Sequence, residues 1–477
     1  MTFATFDPSS TAVESLVAAI FSGNAGATLV SGSVTALFGS PPGEPSTISF
    51  YDGTITALNI GAGLLLTSGD PTPPQSNTVA NYGVNAGGTT VDDQLQATVN
   101  AAFPLAGPIH DVTYLQFQIN VTDPAAVGLR FDVVFGSDEF PEFVNSSYVD
   151  VAGVYVNGVD YALFNSDPLQ PLSVVQANVA AGNFRDNTAG NPAPIPIEYD
   201  GVSVKLQVSA PVHLGVNTIK IAIADTGDSI YDSGIFVSGL QTVDYAGYGL
   251  AQEVEVQAQT EVVDTNSNQV YHGDNSANLI KLVSGHDVVD GGPGVDTVEY
   301  TFGLAEILGG GSYSWNGHSL SLNVGGNSST LVNVERVHLG DGGLYALDTS
   351  PGGNTYSAYA LLQAWFNHAP DQATLSSWIA KLDLQSGSHA VGAVAQQMID
   401  LYAPGVGNAA LIGNLYQNII GAAAPSGFAE ELASQVGSGK QFATMGDLFA
   451  FGAMLSQNTH EIVGIVGSIV ALDASFF

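Results

Sequence analysis

The chain has 477 residues, enough for two or three domains that each bury a core, and its 45% hydrophobic content sets it apart from disordered acidic polymers. Forty-four Asp and Glu face eight Lys and Arg, giving a net charge of -36. That balance excludes nucleic acid and anionic lipid as direct partners and makes divalent cations the natural counter-ions.

No Lys or Arg precedes Arg130, and there is no cysteine, so neither a disulfide framework nor a thiolate metal site can form. The opening run MTFATFDPSSTAVESLVAAIF has no basic residue before its apolar stretch, unlike a Sec signal peptide. No apolar run reaches the roughly 18 residues of a membrane span. The candidate from Ile462 to Leu472 is short and broken by Gly464 and Gly467.

Val13, Leu16, Val17 and Ile20 recur at helical spacing, which predicts a short helix over Ala12 to Phe21 with Ser9 or Ser10 as N-cap. From Thr28 to about Val243 the text changes to short β-branched and aromatic runs between turn residues. Leu115, Phe117, Ile119 and Val121 alternate with polar residues, as do Leu129, Phe131, Val133 and Phe135, then Val204, Leu206 and Val208, then Ile219, Ile221 and Ile223. Such strands bury one face each, and their number predicts an antiparallel, jelly-roll-like β-sandwich.

Two acidic loops interrupt the strands. Asp138, Glu139 and Glu142 sit among Phe140, Pro141 and Phe143, and Asp225, Asp228 and Asp232 fall within eight residues. The first loop reads equally well as a solvated acidic turn or as a calcium site. The second is the stronger case, because three closely spaced carboxylates can converge on one cation, with Asp150 before the strand Val151 to Val156 as a further ligand.

Residues Thr28 to Leu240 resemble the bacterial choice-of-anchor L domain. The resemblance is carried, in order, by Leu58 to Gly69 (LNIGAGLLLTSG), Phe135 to Glu142 (FGSDEFPE) and Asp225 to Val237 (DTGDSIYDSGIFV). It implies an extracellular bacterial β-domain without catalytic activity.

A polar, acidic stretch between Tyr245 and Asn268 marks a boundary. Three consecutive nonapeptides follow, from Gly273, Leu282 and Gly291, with Asn278, Asp287 and Asp296 at the sixth position and Ile280, Val289 and Val298 at the eighth. They resemble the calcium roll of repeats-in-toxin proteins, whose sixth residue offers oxygen to calcium; Leu282 and Val283 replace expected glycines. A β-rich connector over Thr301 to Leu347 is expected to extend the roll. Then Tyr359, Leu362, Trp365 and Phe366 open a helical tract, with Asp371 as a cap for Leu375, Trp378, Ile379 and Leu382, and with Val391, Val394 and Met398 marking a third helix.

A weaker echo lies about fifty residues on, where Leu415 to Asn418 answers Trp365 to His368 and Phe428 answers Trp378. The tract resembles the helical domain of unknown function that follows calcium rolls in secreted bacterial proteins. The ending Leu472-Asp473-Ala474-Ser475-Phe476-Phe477 resembles the uncleaved C-terminal signal of type I secretion substrates.

Nine histidines include no His-x-x-x-His pair, and neither a Gly-x-Ser-x-Gly elbow nor a phosphate loop occurs. Asp138 and Glu142 as acid and base of a glycosidase is the enzymatic alternative, set against Trp only at Trp315, Trp365 and Trp378, all outside the sandwich. The resulting expectation is a mainly β, multidomain chain: a sandwich over 1–245, a roll connector over 246–350 and a helical domain over 351–477. It is expected to bind Ca2+, to leave a Gram-negative cell through type I secretion machinery, and to self-associate in a surface layer, filament or biofilm matrix. A polysaccharide hydrolase and a calcium-dependent lectin contacting cell-surface glycan are the alternatives.

Overall fold

The computed structural model describes residues 2–21, 26–192, 194–246, 249–257, 261–265, 268–459 and 465–477, and the statements below concern these. His460 and the first residues of the Ile462 to Leu472 run lie outside them. The protein is mainly β with a helical C-terminal region, and it divides into two compact units. One holds residues 1–254, 265–270 and 285–287; the other holds 255–264, 271–284 and 288–477.

In the first unit the strands run β1 (Phe3–Thr5), β2 (Ala27–Leu29), β3 (Thr35–Leu37), β4 (Ile48–Tyr51), β5 (Gly63–Thr67), β6 (Ile109–Val121), β7 (Gly128–Ser137) and β8 (Val151–Val156). They continue with β9 (Val159–Asp160), β10 (Phe184–Asp186), β11 (Gly201–Ser203), β12 (Leu206–Pro211), β13 (Gly215–Thr226), β14 (Ser233–Val243) and β15 (Gly249–Val256). Two antiparallel layers result. One has the order β1-β4-β5-β14-β7-β12-β15, with β11 pairing the end of β7; the other has β2-β6-β13-β8-β9, with β3 beside β6.

Alternation explains which faces meet. Leu115, Phe117 and Ile119 of β6, Ile219, Ile221 and Ile223 of β13, and Leu129, Phe131, Val133 and Phe135 of β7 are all buried in one core between the layers. Near its end the first layer is covered on its outer face too. Leu65, Val134 and Phe236 pack there against Ile195, Ile197 and Tyr199. Tyr199 lies so close to the sheet that a Cβ on Gly136 would fall 2.3 Å from its ring and one on Gly234 2.4 Å from its hydroxyl. Glycine at both positions is what lets the 195–200 segment press down on the strands.

Helix α1 (Glu14–Ile20) buries Leu16, Val17 and Ile20 as its spacing predicts, but Ser9 and Ser10 do not cap it. Asp7 takes them instead: its Oδ1 accepts from Ser9 N at 2.8 Å and its Oδ2 from Ser10 Oγ at 2.9 Å. A carboxylate two residues away outcompetes a helix start further on. Helices α2 (Asp93–Ala102) and α3 (Gln176–Ala180) complete the unit.

Further along lie β16 (Glu261–Val263), β17 (Gln269–Gly273), β18 (Leu279–Leu282), β19 (His286–Asp290), β20 (Thr297–Tyr300), helix α4 (Leu304–Gly310), β21 (Ser312–Trp315), β22 (Ser319–Val324), β23 (Asn327–Val332), β24 (Arg336–His338), β25 (Leu344–Ala346) and, at the C-terminus, β26 (Val470–Leu472). Strands β16, β18, β20 and β24 pair in parallel, and Glu261, Leu279 and Thr297 stand side by side at steps of 18 residues, two nonapeptides per step. The connector continues this stack only at β24; β21, β22 and β23 form antiparallel hairpins. Strand β26 pairs with β25 at the edge of this sheet, so of the Leu472 to Phe477 ending only Leu472 is in the sheet, while Phe476 and Phe477 are exposed.

The helical tract comprises α5 (Asn354–Phe366), α6 (Gln372–Asp383), α7 (Ala390–Tyr402), α8 (Asn408–Ile420), α9 (Phe428–Ala433), α10 (Met445–Ala453) and α11 (Ser456–Thr459). Asp371 caps α6, accepting from Thr374 N at 2.8 Å. Asn418 of α8 ties that helix to α5, donating to Ala364 O at 3.1 Å and Trp365 O at 2.7 Å. Among the described residues no helix is long and apolar enough to cross a membrane.

Arg336 joins β24 to this tract. It is 2% exposed and its guanidinium reaches Asp348 at 2.6 Å and Asp383 at 2.7 Å. Removing one partner of such a buried set leaves charge uncompensated and costs about 3–5 kcal/mol. Arg336→Ala is expected to lower the unfolding free energy by that amount in a denaturant titration; a loss below about 1 kcal/mol would show that the pairing is not a structural link.

Candidate functional site

The site begins where β7 runs out. Ser137 still pairs with Ser233 on one side and Gly201 on the other, and the Asp138 amide donates to Asp232 O at 3.1 Å. Residues 138–140 leave the strand as a turn, and the Phe143 amide donates to Glu139 O at 2.9 Å. Asp138 turns toward the β11 side, where its Oδ1 accepts from Asp200 N at 3.2 Å. Glu139 turns toward Asp150 and Asp228, the two carboxylates that repel it most.

Asp150 immediately precedes β8, and its Oδ1 accepts from Thr226 N at 3.2 Å at the end of β13. A bulge between Ile223 and Asp225 re-aims the end of β13 so that Asp225 is buried beside Asp150. The two acidic loops of the sequence thus meet, because β8 and β13 are hydrogen-bonded neighbours.

Asp138, Glu139, Asp150 and Asp225 are each no more than 3% exposed. Burial, followed by repulsion from Asp200, pushes the Asp138 carboxyl up to about 9. Burial, followed by repulsion from Asp150 and Asp228, pushes Glu139 up to about 10. Asp150 and Asp225 are held well above the ordinary carboxylate range, again first by burial. Asp138 Oδ2, Glu139 Oε2, Asp150 Oδ2 and Asp225 Oδ1 are buried without a hydrogen-bond partner.

His110 stands opposite Asp225 across β6 and β13 and is the basic side chain that acts to lower the Asp228 carboxyl, which burial raises; among the described residues no Lys or Arg forms an ion pair with these carboxylates. Arg185 donates to Ala57 O and Ser203 O, Lys205 pairs with Glu253, Lys220 with Asp92, Lys281 with Glu261 and Glu299, and Arg336 with Asp348 and Asp383. Lys381 lies over the Trp378 ring, and Arg130 stands seven residues back along β7, roughly 23 Å away at strand rise.

Not every residue singled out from the sequence joins this cluster. Asp228 is half-buried and Glu142 is exposed at its rim. Asp232 is a strut: its Oδ2 accepts from Asp70 N and its Oδ1 from Val84 N, both at 2.8 Å. In the nonapeptides, Asp287 Oδ1 accepts from Gln269 N at 3.0 Å and Asp296 Oδ1 from Asn278 N at 2.8 Å, each linking residues 18 apart, while Asn278 Oδ1 accepts from Asp274 N at 3.1 Å. Burial pushes the Asp296 carboxyl up to about 7, and its Oδ2 has no partner. Among the described residues no three His, Asp or Glu are already gathered as a metal cage, so an ion would have to draw the repelling carboxylates inward.

Glu198 and Asp200, both buried within 1% exposure, were not singled out from the sequence. They alternate with Ile195, Ile197 and Tyr199, and such alternation ordinarily puts the polar residues in water. Here Tyr199 and its neighbours cover one side of the segment while Asp138 and residues 77–79 close the other.

Fold and site together define a β-sandwich domain with buried acidic clusters at the end of its strands. Residues 5–241 match the model of the Choice-of-anchor L domain family, and so cover the whole of this site. No match was found among curated proteins. Among solved structures, a family 35 carbohydrate binding module from an environmental isolate aligns at 14% identity and a TM-score of 0.15, over 37% of this chain and 96% of that one. The CBM35 of Cellvibrio japonicus Abf62 gives 10% and 0.15, over 37% and 98%. A beta-glucosidase from Kluyveromyces marxianus gives 8% and 0.15, over 47% and 21%. At such TM-scores none of these bears on fold or function.

The raised carboxyls set the sign of a pH effect. Between the ordinary carboxylate value near 4 and the folded values of about 9 for Asp138 and 10 for Glu139, the folded chain holds protons that the unfolded chain has released. Stability contributed by these groups is present below that window and lost as pH rises through it. In chelator, the melting temperature is therefore expected to fall by several degrees from pH 5 to pH 9, read by scanning fluorimetry. A flat or rising profile would mean that the carboxylates meet positive charge in the folded chain.

Proposed function

We propose that the protein is a surface-associated structural or adhesive module whose sandwich is completed by calcium. The observation that carries this reading is the set of buried, unpartnered oxygens on Glu139, Asp150 and Asp225, with Asp228 beside them and, among the described residues, no Lys or Arg ion-paired to any. Isolated buried carboxylates are costly, and a hard divalent cation with irregular, six- to eight-fold oxygen coordination relieves that cost. Asp296 would serve similarly in the parallel stack, where Asp274 and Asp290 also repel its carboxyl.

The Choice-of-anchor L match supports an extracellular or cell-surface setting and a non-catalytic role for residues 5–241. Calcium would then act as a folding switch: the chain crosses the envelope unfolded, through type I secretion machinery, and gains its final stability where the ion is abundant. Self-association into a layer or filament follows from the same reading, with short edge strands such as β1 and β9 available for pairing.

Calcium at a hundredfold excess over its dissociation constant is expected to add about 2.7 kcal/mol to the unfolding free energy per site. Glu139→Gln with Asp150→Asn is expected to remove most of that increment while raising stability in chelator, since the neutral amides need neither a proton nor a counter-charge when buried. Unchanged melting of the parent protein with and without calcium would overturn the reading. Negative-stain microscopy with and without the ion tests assembly separately.

A further inference from the structure

Residues 68–92 form a 25-residue run without helix or strand, and of residues 71–90 only Pro73 is buried. Val79, Val84 and Val91 are each about half exposed, so apolar contact does not hold the run in place. Carboxylates do. Besides Asp232 on Asp70 N and Val84 N, Glu198 Oε1 accepts from Thr78 N at 3.3 Å and Val79 N at 3.1 Å, and Asp111 Oδ1 accepts from Gly88 N at 2.6 Å. Asn77 donates from Nδ2 to Asp200 Oδ1 at 2.6 Å and to Asn187 O at 2.8 Å.

Asp232 spends both oxygens on the run, but four neighbouring residues keep one spare. Asp138 Oδ2, Glu198 Oε2, Asp200 Oδ2 and Asn77 Oδ1 are buried and unpartnered. Because both neighbours of Asn77 Nδ2 are acceptors, the amide cannot be flipped, and the spare atom is its oxygen. Asp138, Glu198 and Asp200 are 2%, 0% and 1% exposed. The antiparallel register of β7 and β11 pairs Ser137 with Gly201, which sets Asp138 opposite Asp200. Besides burial, Asp138 is repelled chiefly by Asp200, Asp232 and Glu198, and Glu139 chiefly by Asp150 and Asp228, so this group is distinct from that around Glu139.

The geometry points to a second divalent-cation site, formed by Asp138, Glu198 and Asp200 of the sandwich with the Asn77 side-chain oxygen of the 68–92 run, so that ion binding clamps that run onto the domain. It rests on the reading that the acidic loops take calcium, but it uses a separate set of ligands. Three carboxylates and a neutral amide oxygen suit a hard ion, with waters completing the shell. The ion would replace repulsion between Asp138, Glu198 and Asp200 by a shared attraction, and it would fix the one ligand that comes from outside the sheet.

The test is calcium stoichiometry by equilibrium dialysis, together with hydrogen exchange on the full chain. Parent protein is expected to bind at least two ions in the first unit and to slow exchange in peptides spanning 70–88 and 139–150 by tenfold or more. Glu198→Gln with Asp200→Asn is expected to lose one ion and the slowing at 70–88 while keeping that at 139–150; Glu139→Gln with Asp150→Asn should do the reverse. Asn77→Ala, a change in a half-buried coil residue, is expected to weaken one ion about tenfold and guards against misfolding of the double variants. Calcium that protects 139–150 but leaves 70–88 unaltered, or full stoichiometry in the Glu198 and Asp200 variant, would overturn the clamp alone. No calcium bound by parent protein would overturn both readings.

Discussion

The structure depends on how it tolerates negative charge gathered in its interior. An ionised carboxylate moved from water into protein costs several kcal/mol even after relaxation, and a folded domain is stable by only about 5–15 kcal/mol. Asp138, Glu139, Asp150 and Asp225 are all within 3% exposure. They cannot all be ionised and unneutralised in a stable fold. Either protons or an external cation must be present, and the strongly raised carboxyls express that alternative.

Much of the architecture is legible in the residue pattern because strands with one buried face leave a period-two record. Leu115 to Val121 and Leu129 to Phe135 enter one core as alternation predicts. The meeting of the two acidic loops was legible only as a convergence of types; the contact itself comes from β8 pairing β13 and from the bulge before Asp225, neither of which leaves a local signal. Glu198 and Asp200 were illegible for the opposite reason: their alternation with Ile197 and Tyr199 is genuine, but a second covering removes the water that pattern normally implies. Helix starts in the helical tract do not fall at the fifty-residue echo. Helices α8, α9 and α10 begin 54 to 56 residues after α5, α6 and α7.

The nonapeptide stretch shows how the same residue type divides between two tasks. A coil that stacks every 18 residues must satisfy amides at its corners, and Asp287 and Asp296 each accept one from the preceding coil. That hydrogen bond alone explains a polar sixth position, with no ion needed to justify it. Asp296 differs in that its second oxygen is buried without a partner and Glu335, which accepts from the Asp296 amide at 2.8 Å, is itself pushed up to about 8 by burial. Spacing cannot separate the two tasks; only the second oxygen does.

Where this chain uses Lys or Arg as a buried counter-charge, the arrangement is local. Lys220 meets Asp92 and Gln94 beneath the Tyr114 and Tyr155 rings, and Lys205 meets Glu253. One ammonium can offset one carboxylate, and its four-carbon stem fills the space that further acceptors would need. At the ends of β7 and β13 several buried carboxylates crowd together, so a single lysine would leave excess negative charge. A compact divalent ion brings twice the charge with no stem and accepts oxygens from all directions. The scarcity of basic residues in this chain and the crowding of its buried acids are thus two sides of one arrangement, in which neutralisation falls to protons or to a cation that the polypeptide does not carry.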